Sequence, residues 1–540
     1  MNCTLSDPLL WLYPDSIVPD VPLTAFECDV ATGGVAEVNI LLNGLDSTKP
    51  LSFGATGCQR GEWFRLVDVP VEKNTAPGRG FAETDDGPKN QFVTRRAPFR
   101  VFDAMEPLAK KSLVPTGSTA VLRFRLPVDG EAPKRGTVSL WVKQGGQKAS
   151  FELRYARHDV VLPENGDERI PYTNWVSFDN IATRHGLEPW GEKHWRMIGR
   201  YAKLMAYGRQ SSILLPLGIL FENKAGQFVL NRKRLERLVK IFTEAGVYYL
   251  EGGHFASRTG GVWTASTFST ILGDVPATSP EGGKIVASIA GQLMDAIEEN
   301  GWQDRWIQHV ADEPIPANAI DYRILTGMVR RFMPAIPLMD ATQDATMVGA
   351  VDIWCPLINR YEEKRETFEA ARRDFDDEVW YYTCCCPGGN WLNRFLDFEL
   401  LRPVLLGWGG GLYDLGGFLH WGLNQYPLSQ DPFRQSCIPN WGGGTLTLPP
   451  GDTHIVYPGP DGPWPSVRLE AMRQGMEDFE LIRYARYLLE DDDIRKLLEP
   501  VIRSFHDYTK DLEVYRATRR RLLEIADGAF EELMALADDE

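Results

Sequence analysis

Between residues 171 and 424, short apolar runs and amphipathic stretches follow one another in series, with eight strand-like runs in all. "NWVSFDN", "SSILLPLG", "VYYLEGGH", "RWIQHVADEP", "IPLMDA", "VDIWCPL", "EVWYYTCC" and the end of "GGLYDLGGFLHWGLN" have the length and the β-branched or aromatic content of strands. Helical patterns such as "GEKHWRMIGRYAKLMAYG", "NRKRLERLVKIFTEAG" and "ANAIDYRILTGMVRRF" stand between them. Strands that return through helices must pair in parallel, and eight in series predict a (β/α)8 barrel of the TIM type. A doubly wound sheet is the competing architecture. No Gly-rich dinucleotide fingerprint follows the first strand, which speaks against it.

The flanks follow other rhythms. In "STAVLRFRLPV" Ala120, Leu122, Phe124 and Leu126 share one face. In "TVSLWVKQGGQKASFELRY" the alternating Val138, Leu140, Val142 and Phe151, Leu153, Tyr155 flank a Gly145-Gly146 turn. Short alternating strands predict a β-sandwich over residues 1–162, with "LPENGDERIPYTN" as the linker. The barrel is expected over 163–490. Past residue 424 comes the insertion "PNWGGGTLTLPPGDTHIVYPGPDGPWP", and then Leu469, Met472, Met476, Phe479 and Ile482 mark a helix face. A C-terminal helical extension packed on the barrel is expected over 491–540.

A barrel places its chemistry where strands end. The fourth apolar run ends in Asp312 and Glu313, followed by Pro314. Neighbouring acids repel, so their pairing beside a core asks for a use. Proline biases Glu313 toward an extended backbone. Retaining glycosidases with a protein nucleophile need a second carboxylate about 5 Å from the acid. The seventh run ends "WYYTCCCP" and offers none. A 2-acetamido group on the substrate can attack C1 instead, with Asp312 orienting it and Glu313 moving the proton.

Other strand-end residues are candidate contacts. Glu251 and His254 suit sugar hydroxyls. Tyr382, in preference to Tyr381, suits the acetamido oxygen. Trp354, Trp421 and Trp441 suit pyranose faces, and Asn424, Asp340 and Asn359 also fall near strand ends. His309 reads as a satisfied core histidine. Arg468 to Asp478 read as a buried ion-pair network bracing the eighth unit, with Gly475 allowing close helix packing.

The net charge of −16 argues against nucleic acid and anionic membranes as partners. No apolar run reaches the roughly 20 residues of a membrane span. "MNCTLSDPLLWLYPDS" lacks a basic n-region, so the expected location is cytoplasmic as the sequence stands, or secreted or periplasmic if a signal was removed. Eight cysteines without C-x-x-C spacing predict reduced thiols and no structural zinc. "GWGGGLYDLGG" lacks the Gly-Lys-Ser/Thr of a phosphate loop, and H-E-x-x-H is missing, so no metal and no cofactor are expected. A carbohydrate is the expected partner; a homo-oligomer is left open.

"HVADEP" resembles the Asp-Glu pair of glycoside hydrolase family 123. "RLEAMRQGMEDFELIRYA" resembles the C-terminal signature of the related proteins labelled domain of unknown function 4091. The resemblance spans most of the chain and implies a β-sandwich followed by a barrel. It also implies β-N-acetylgalactosaminidase-type chemistry through an oxazoline, without metal or cofactor. Asp312 would polarise the acetamido group and Glu313 would be the general acid/base. Two readings compete: a non-catalytic carbohydrate-binding protein, and a glycosidase of other specificity that pairs Glu313 with Asp340 or Glu251.

Overall fold

The structure is a computed structural model and describes residues 1–78, 80–342, 344–439 and 446–538. Ten strands between Asn2 and Val161 form two five-stranded sheets, with hydrogen-bonded orders 1-3-8-5-6 and 2-10-9-4-7. Every pairing is antiparallel except that of strands 2 and 10. The hairpin falls where the alternation put it. Gln144 pairs with Gln147, and Gly145 takes the positive φ of 57° that the turn requires. Leu122, Phe124, Val138, Leu140, Phe151 and Leu153 share one core between the two sheets.

The other face of the first sheet is also covered. Leu41, Phe64, Leu66 and Val121 belong to the large core of the following α/β part. Alternation alone would turn Arg123 and Arg125 to solvent. Both are buried, because that face meets another unit.

That unit holds eight short parallel strands: Tyr172–Asn174, Ser212–Leu215, Tyr249–Gly252, Trp306–His309, Leu338–Ala341, Ile353–Cys355, the interrupted pair Glu378–Val379 and Tyr381–Tyr382, and Phe418–His420. The second to the seventh form a six-stranded parallel sheet, and Tyr381–Tyr382 joins the eighth and the first in a three-stranded one. Backbone bonds link the sheets on both flanks. Trp380 N–H donates to Trp354 O at 2.7 Å and Tyr381 N–H to Gly417 O at 3.0 Å, while Ser211 N–H donates to Tyr172 O at 3.0 Å. Helices run between successive strands except after the fifth, where only the 3-10 turn Ala345–Met347 intervenes, so the βα repeat is incomplete there.

Two strands lie elsewhere than the apolar runs suggest. The first ends at Asn174, and Ser177 already caps the helix Phe178–Arg184 by accepting from Asn180 N–H. The eighth is only Phe418–His420, because "GWGGGL" continues the helix Leu401–Leu412. Its glycines serve helix contact. A Cβ on Gly407 would stand 1.9 Å from Gly475 O, and one on Gly475 would stand 2.5 Å from Val404 O. Gly475 therefore does permit the close packing expected of it. Residues beyond 490 are not wholly helical: a hairpin of Ile502–Ser504 with Asp507–Tyr508 precedes the helix Leu512–Asp538.

The Arg468–Asp478 stretch lies on the helix Val467–Ala485, and its charges are buried. Arg468 bonds Asp103 at 3.0 Å, Arg473 bonds Glu477 at 2.6 Å, Glu470 bonds Arg125 at 2.6 Å, and Asp478 bonds Arg519 at 2.6 Å. The network thus ties the helix to the N-terminal sheets and the C-terminal helix, more than to the eighth strand. Removing one partner of such a pair leaves a buried charge unpaired. Arg468→Met is therefore expected to cost about 3–5 kcal/mol. A denaturant midpoint equal to that of the parent would remove the pair from the stabilising contacts.

Candidate active site

The C-terminal ends of the parallel strands converge on the acid pair. The fourth strand stops at His309, and the chain is then pinned from the fifth. Val310 N–H donates to both Asp340 oxygens at 3.2 and 3.1 Å, and Ala311 N–H to Asp340 Oδ2 at 2.9 Å. Asp312 and Glu313 follow at once.

Glu313 is not extended, as Pro314 suggested, but left-handed with φ of 50°. A non-glycine residue there costs on the order of 1–3 kcal/mol and persists only where neighbours hold it. Here the Arg258 guanidinium donates to the Glu313 carbonyl and the Tyr382 hydroxyl to its carboxylate. Tertiary bonds override the local preference.

Burial pushes the Glu313 carboxyl up, the adjacent Asp312 adds to the rise, and the Tyr382 hydrogen bond opposes it; the net result is about 8. A carboxyl group so placed holds its proton at neutral pH, as a general acid must. The Asp312 side chain is half-buried, and its carboxylate hydrogen-bonds to no described residue.

Beneath the pair lies a closed charge network. His309 is fully buried, with Nε2 at 3.1 Å from Glu251 Oε2 and Nδ1 at 3.3 Å from Asp340 Oδ1. Burial opposes its protonation, but the two carboxylates outweigh that and raise it to about 9. Glu251 also accepts from the Ser212 hydroxyl and, at 3.2 Å, from Trp175 Nε1. Burial works against its ionisation too, yet the His309 contacts leave its carboxyl below the usual range. Asp340 takes a further bond from the Tyr322 hydroxyl at 2.6 Å.

The expected core role of His309 fits this placement. Glu251 is turned inward with both oxygens engaged, rather than toward a sugar. His254 is half-buried, 3.6 Å from Asp340 Oδ1, and held neutral first by burial and then by the His309 charge.

The remaining candidates scatter. Tyr382 ends the seventh strand at Glu313, whereas the Tyr381 hydroxyl donates to Leu406 O at 2.8 Å in the core. Trp354 cannot stack on a sugar. It is fully buried against Phe368 with Nε1 bonded to Asp377 at 2.8 Å, because its strand turns Ile353 and Cys355 inward and Trp354 under the helices. Asn424 is buried as a loop clamp, accepting from Ser177 N–H at 2.7 Å and donating to Ser177 O at 3.1 Å. Trp421 is half-buried just after the eighth strand. Asn359 is half-buried, and its Oδ1 has no hydrogen-bond partner among the described residues. Trp441 lies outside the described residues.

Two participants escaped the sequence reading. Arg258 comes from a hairpin, Ala256–Arg258 with Phe268–Thr270, inserted after the third strand, and no spacing signals it. Trp175 is half-buried one residue past the first strand, its ring edge-on to His254 and His309 with centroids at 5.5 and 5.8 Å. A strand boundary placed correctly at Asn174 would have exposed it as a strand-end aromatic.

The sequence matches the family model described as Glycoside hydrolase 123, catalytic domain, over residues 175–485. No curated protein matches it. Among solved structures, a family 123 glycoside hydrolase from Clostridium perfringens, studied for glycolipid glycan hydrolysis, is similar at 12% identity with a TM-score of 0.69, over 99% of each chain. At that identity the likeness shows a shared fold. A GH10 xylanase with a bacterial Ig-like domain, from termite gut, is similar at 9% identity with a TM-score of 0.32, over 85% of this chain and 100% of that one. The matched segment takes in more than half of the sequence, with the acid pair, Tyr382 and the buried Arg468–Asp478 helix inside it, and the chain belongs to glycoside hydrolase family 123.

Proposed function

We propose that this glycoside hydrolase removes a β-linked 2-acetamido sugar, N-acetylgalactosamine, by a retaining, substrate-assisted mechanism. One observation carries the reading: Glu313 and Asp312 stand together at the strand ends while the nearby carboxylates Glu251 and Asp340 are locked in hydrogen bonds beneath them. Neither Glu251 nor Asp340 is therefore free to serve as the protein nucleophile. Asp312 accepts the acetamido N–H, the acetamido oxygen attacks C1, and Glu313 gives its proton to the leaving oxygen. Water then opens the oxazoline with Glu313 as base, so configuration is retained. No metal or cofactor has a step in this scheme.

The two five-stranded sheets serve in this reading as a β-sandwich over residues 1–162. The parallel strands serve as a (β/α)8 barrel over 163–490, closed through the Trp380, Tyr381 and Ser211 backbone bonds. Residues 491–540 brace it. The glycan chemistry of the Clostridium perfringens protein supports a glycan terminus as substrate.

The test is hydrolysis of an aryl 2-acetamido-2-deoxy-β-galactoside beside the matching β-galactoside. Turnover of the galactoside alone would overturn the proposal. Tyr382→Phe adds a check. The Tyr382 hydroxyl favours the Glu313 carboxylate, so its loss raises the Glu313 pKa further above about 8. The basic limb of kcat/KM is expected to move to higher pH, by on the order of one unit. A limb that stays in place or moves down would separate Tyr382 from Glu313.

A further inference from the structure

One residue beyond Tyr382, after Thr383, the chain runs Cys384-Cys385-Cys386. Their sulfurs converge: Cys384 Sγ lies 3.4 Å from Cys386 Sγ and 4.0 Å from Cys385 Sγ, and all three lie within 4.8 Å of one another. The backbone that carries them is fixed. Cys384 N–H donates to Cys386 O at 2.9 Å, and Phe81 N–H, from the N-terminal unit, donates to Cys385 O at 3.1 Å. Asn393 Nδ2 donates to Cys384 O at 3.0 Å and to Pro387 O at 3.1 Å. Three consecutive residues seldom aim their side chains at one point; this turn does it.

We propose that Cys384, Cys385 and Cys386 form a three-thiolate site for a soft monovalent cation, Cu(I) or Ag(I). The triangle carries the argument. Sulfurs bound at about 2.3 Å in a trigonal plane stand about 4.0 Å apart, which is the scale of the spacing found. Thiolate donors select soft ions. A structural zinc site takes four protein ligands, and the cluster supplies three. Burial and mutual hydrogen bonding push the Cys384 and Cys385 thiols up. Three thiolates around one monovalent cation carry two net negative charges.

Those charges arise where they bear on Glu313. Cys384 and Cys386 pack against the inward-facing cluster that contains Tyr382. Added negative charge holds Glu313 protonated, which suppresses its base step. The filled site thus inhibits turnover. This consequence rests on the role given to Glu313; the binding site itself does not.

The experiment titrates the reduced, full-length protein anaerobically with Cu(I) against a chromophoric Cu(I) chelator, and reads X-ray absorption on the loaded protein. One ion per chain with three sulfur neighbours at about 2.3 Å is expected. Cys385→Ser should lose that stoichiometry while keeping fold and basal turnover, and Cys3→Ser should keep it. The absorption measurement needs no variant, so misfolding of Cys385→Ser leaves the test intact. Two sulfur neighbours, unchanged stoichiometry in a folded Cys385→Ser, or a 2 Da mass loss from Cys384–Cys386 oxidation in place of uptake would overturn the site. One bound ion with undiminished turnover would uphold the site and overturn its link to Glu313.

Discussion

Glu313→Gln is expected to lower kcat/KM on glycan or alkyl aglycones by about 10²–10⁴-fold, the usual share of a general acid. Activated aryl glycosides, which leave with little protonation, should lose far less in the glycosylation step. The basic limb of the pH profile, which reports loss of the Glu313 proton near pH 8, should vanish on both substrates. The same substitution has a stability signature of opposite sense. The native Glu313 carboxyl titrates near 8, above the roughly 4.3 of an unfolded chain. Between those values the native state keeps a proton that the unfolded state has lost. Its stabilising share is full below pH 4.3 and is lost as pH rises through 8, at no more than about 1.4 kcal/mol per pH unit for a half-buried group. Glutamine has no such dependence. The melting temperature of Glu313→Gln relative to the parent should therefore climb from pH 5 to pH 8. Equal losses on both substrate types, or a flat difference in melting temperature, would take the acid role away from Glu313.

The placement of the acid pair was legible: an apolar run that ends in two adjacent acids puts them where the fourth strand ends, and the structure sets them there. Tyr382 was read as the strand-end tyrosine turned to the site, with Tyr381 in the core, and the two hydroxyls divide that way. Trp354 shows where this stops. Alternation says that neighbours face opposite sides, but not which side is inside, and Ile353 and Cys355 took the interior. Trp175 was hidden because the first strand was read inside "NWVSFDN", whereas it is only Tyr172–Asn174 and ends just before the tryptophan. Such short strands are held by pairing with neighbours rather than by propensity, so local pattern places them loosely. Asn424 falls at a strand end yet clamps a loop. The left-handed Glu313 runs against its own dipeptide preference; Arg258, from the hairpin after the third strand, and Tyr382, from the end of the seventh, bond it there. The partner of Arg468 lies 365 residues away in the N-terminal sheet, beyond any periodicity.

If the substrate supplies the nucleophile, the 2-acetamido group is needed for chemistry and not only for binding. Positive charge grows on the oxazolinium ring as C1 is attacked, and Asp312 faces it mainly in the transition state. Asp312→Asn should then lower kcat by about 10²–10³-fold, the range seen when one such electrostatic partner is removed, with a smaller rise in KM. A substrate with a 2-hydroxyl in place of the acetamide should be nearly inert, and a thiazoline analogue should inhibit strongly. The first-formed anomer, read by NMR before mutarotation, should have retained configuration, because two displacements occur at C1. Inversion, or good turnover of the 2-hydroxy sugar, would demand a protein base or nucleophile. The structure makes that demand expensive. Glu251 would have to leave His309, Ser212 and Trp175, and Asp340 would have to release the Val310 and Ala311 amides that set the acid pair in place. Either carboxylate would then act only by dismantling the support of Glu313, so a fast 2-hydroxy substrate would point to Asp312 itself as the nucleophile, and Asp312→Asn would abolish turnover of both sugars alike.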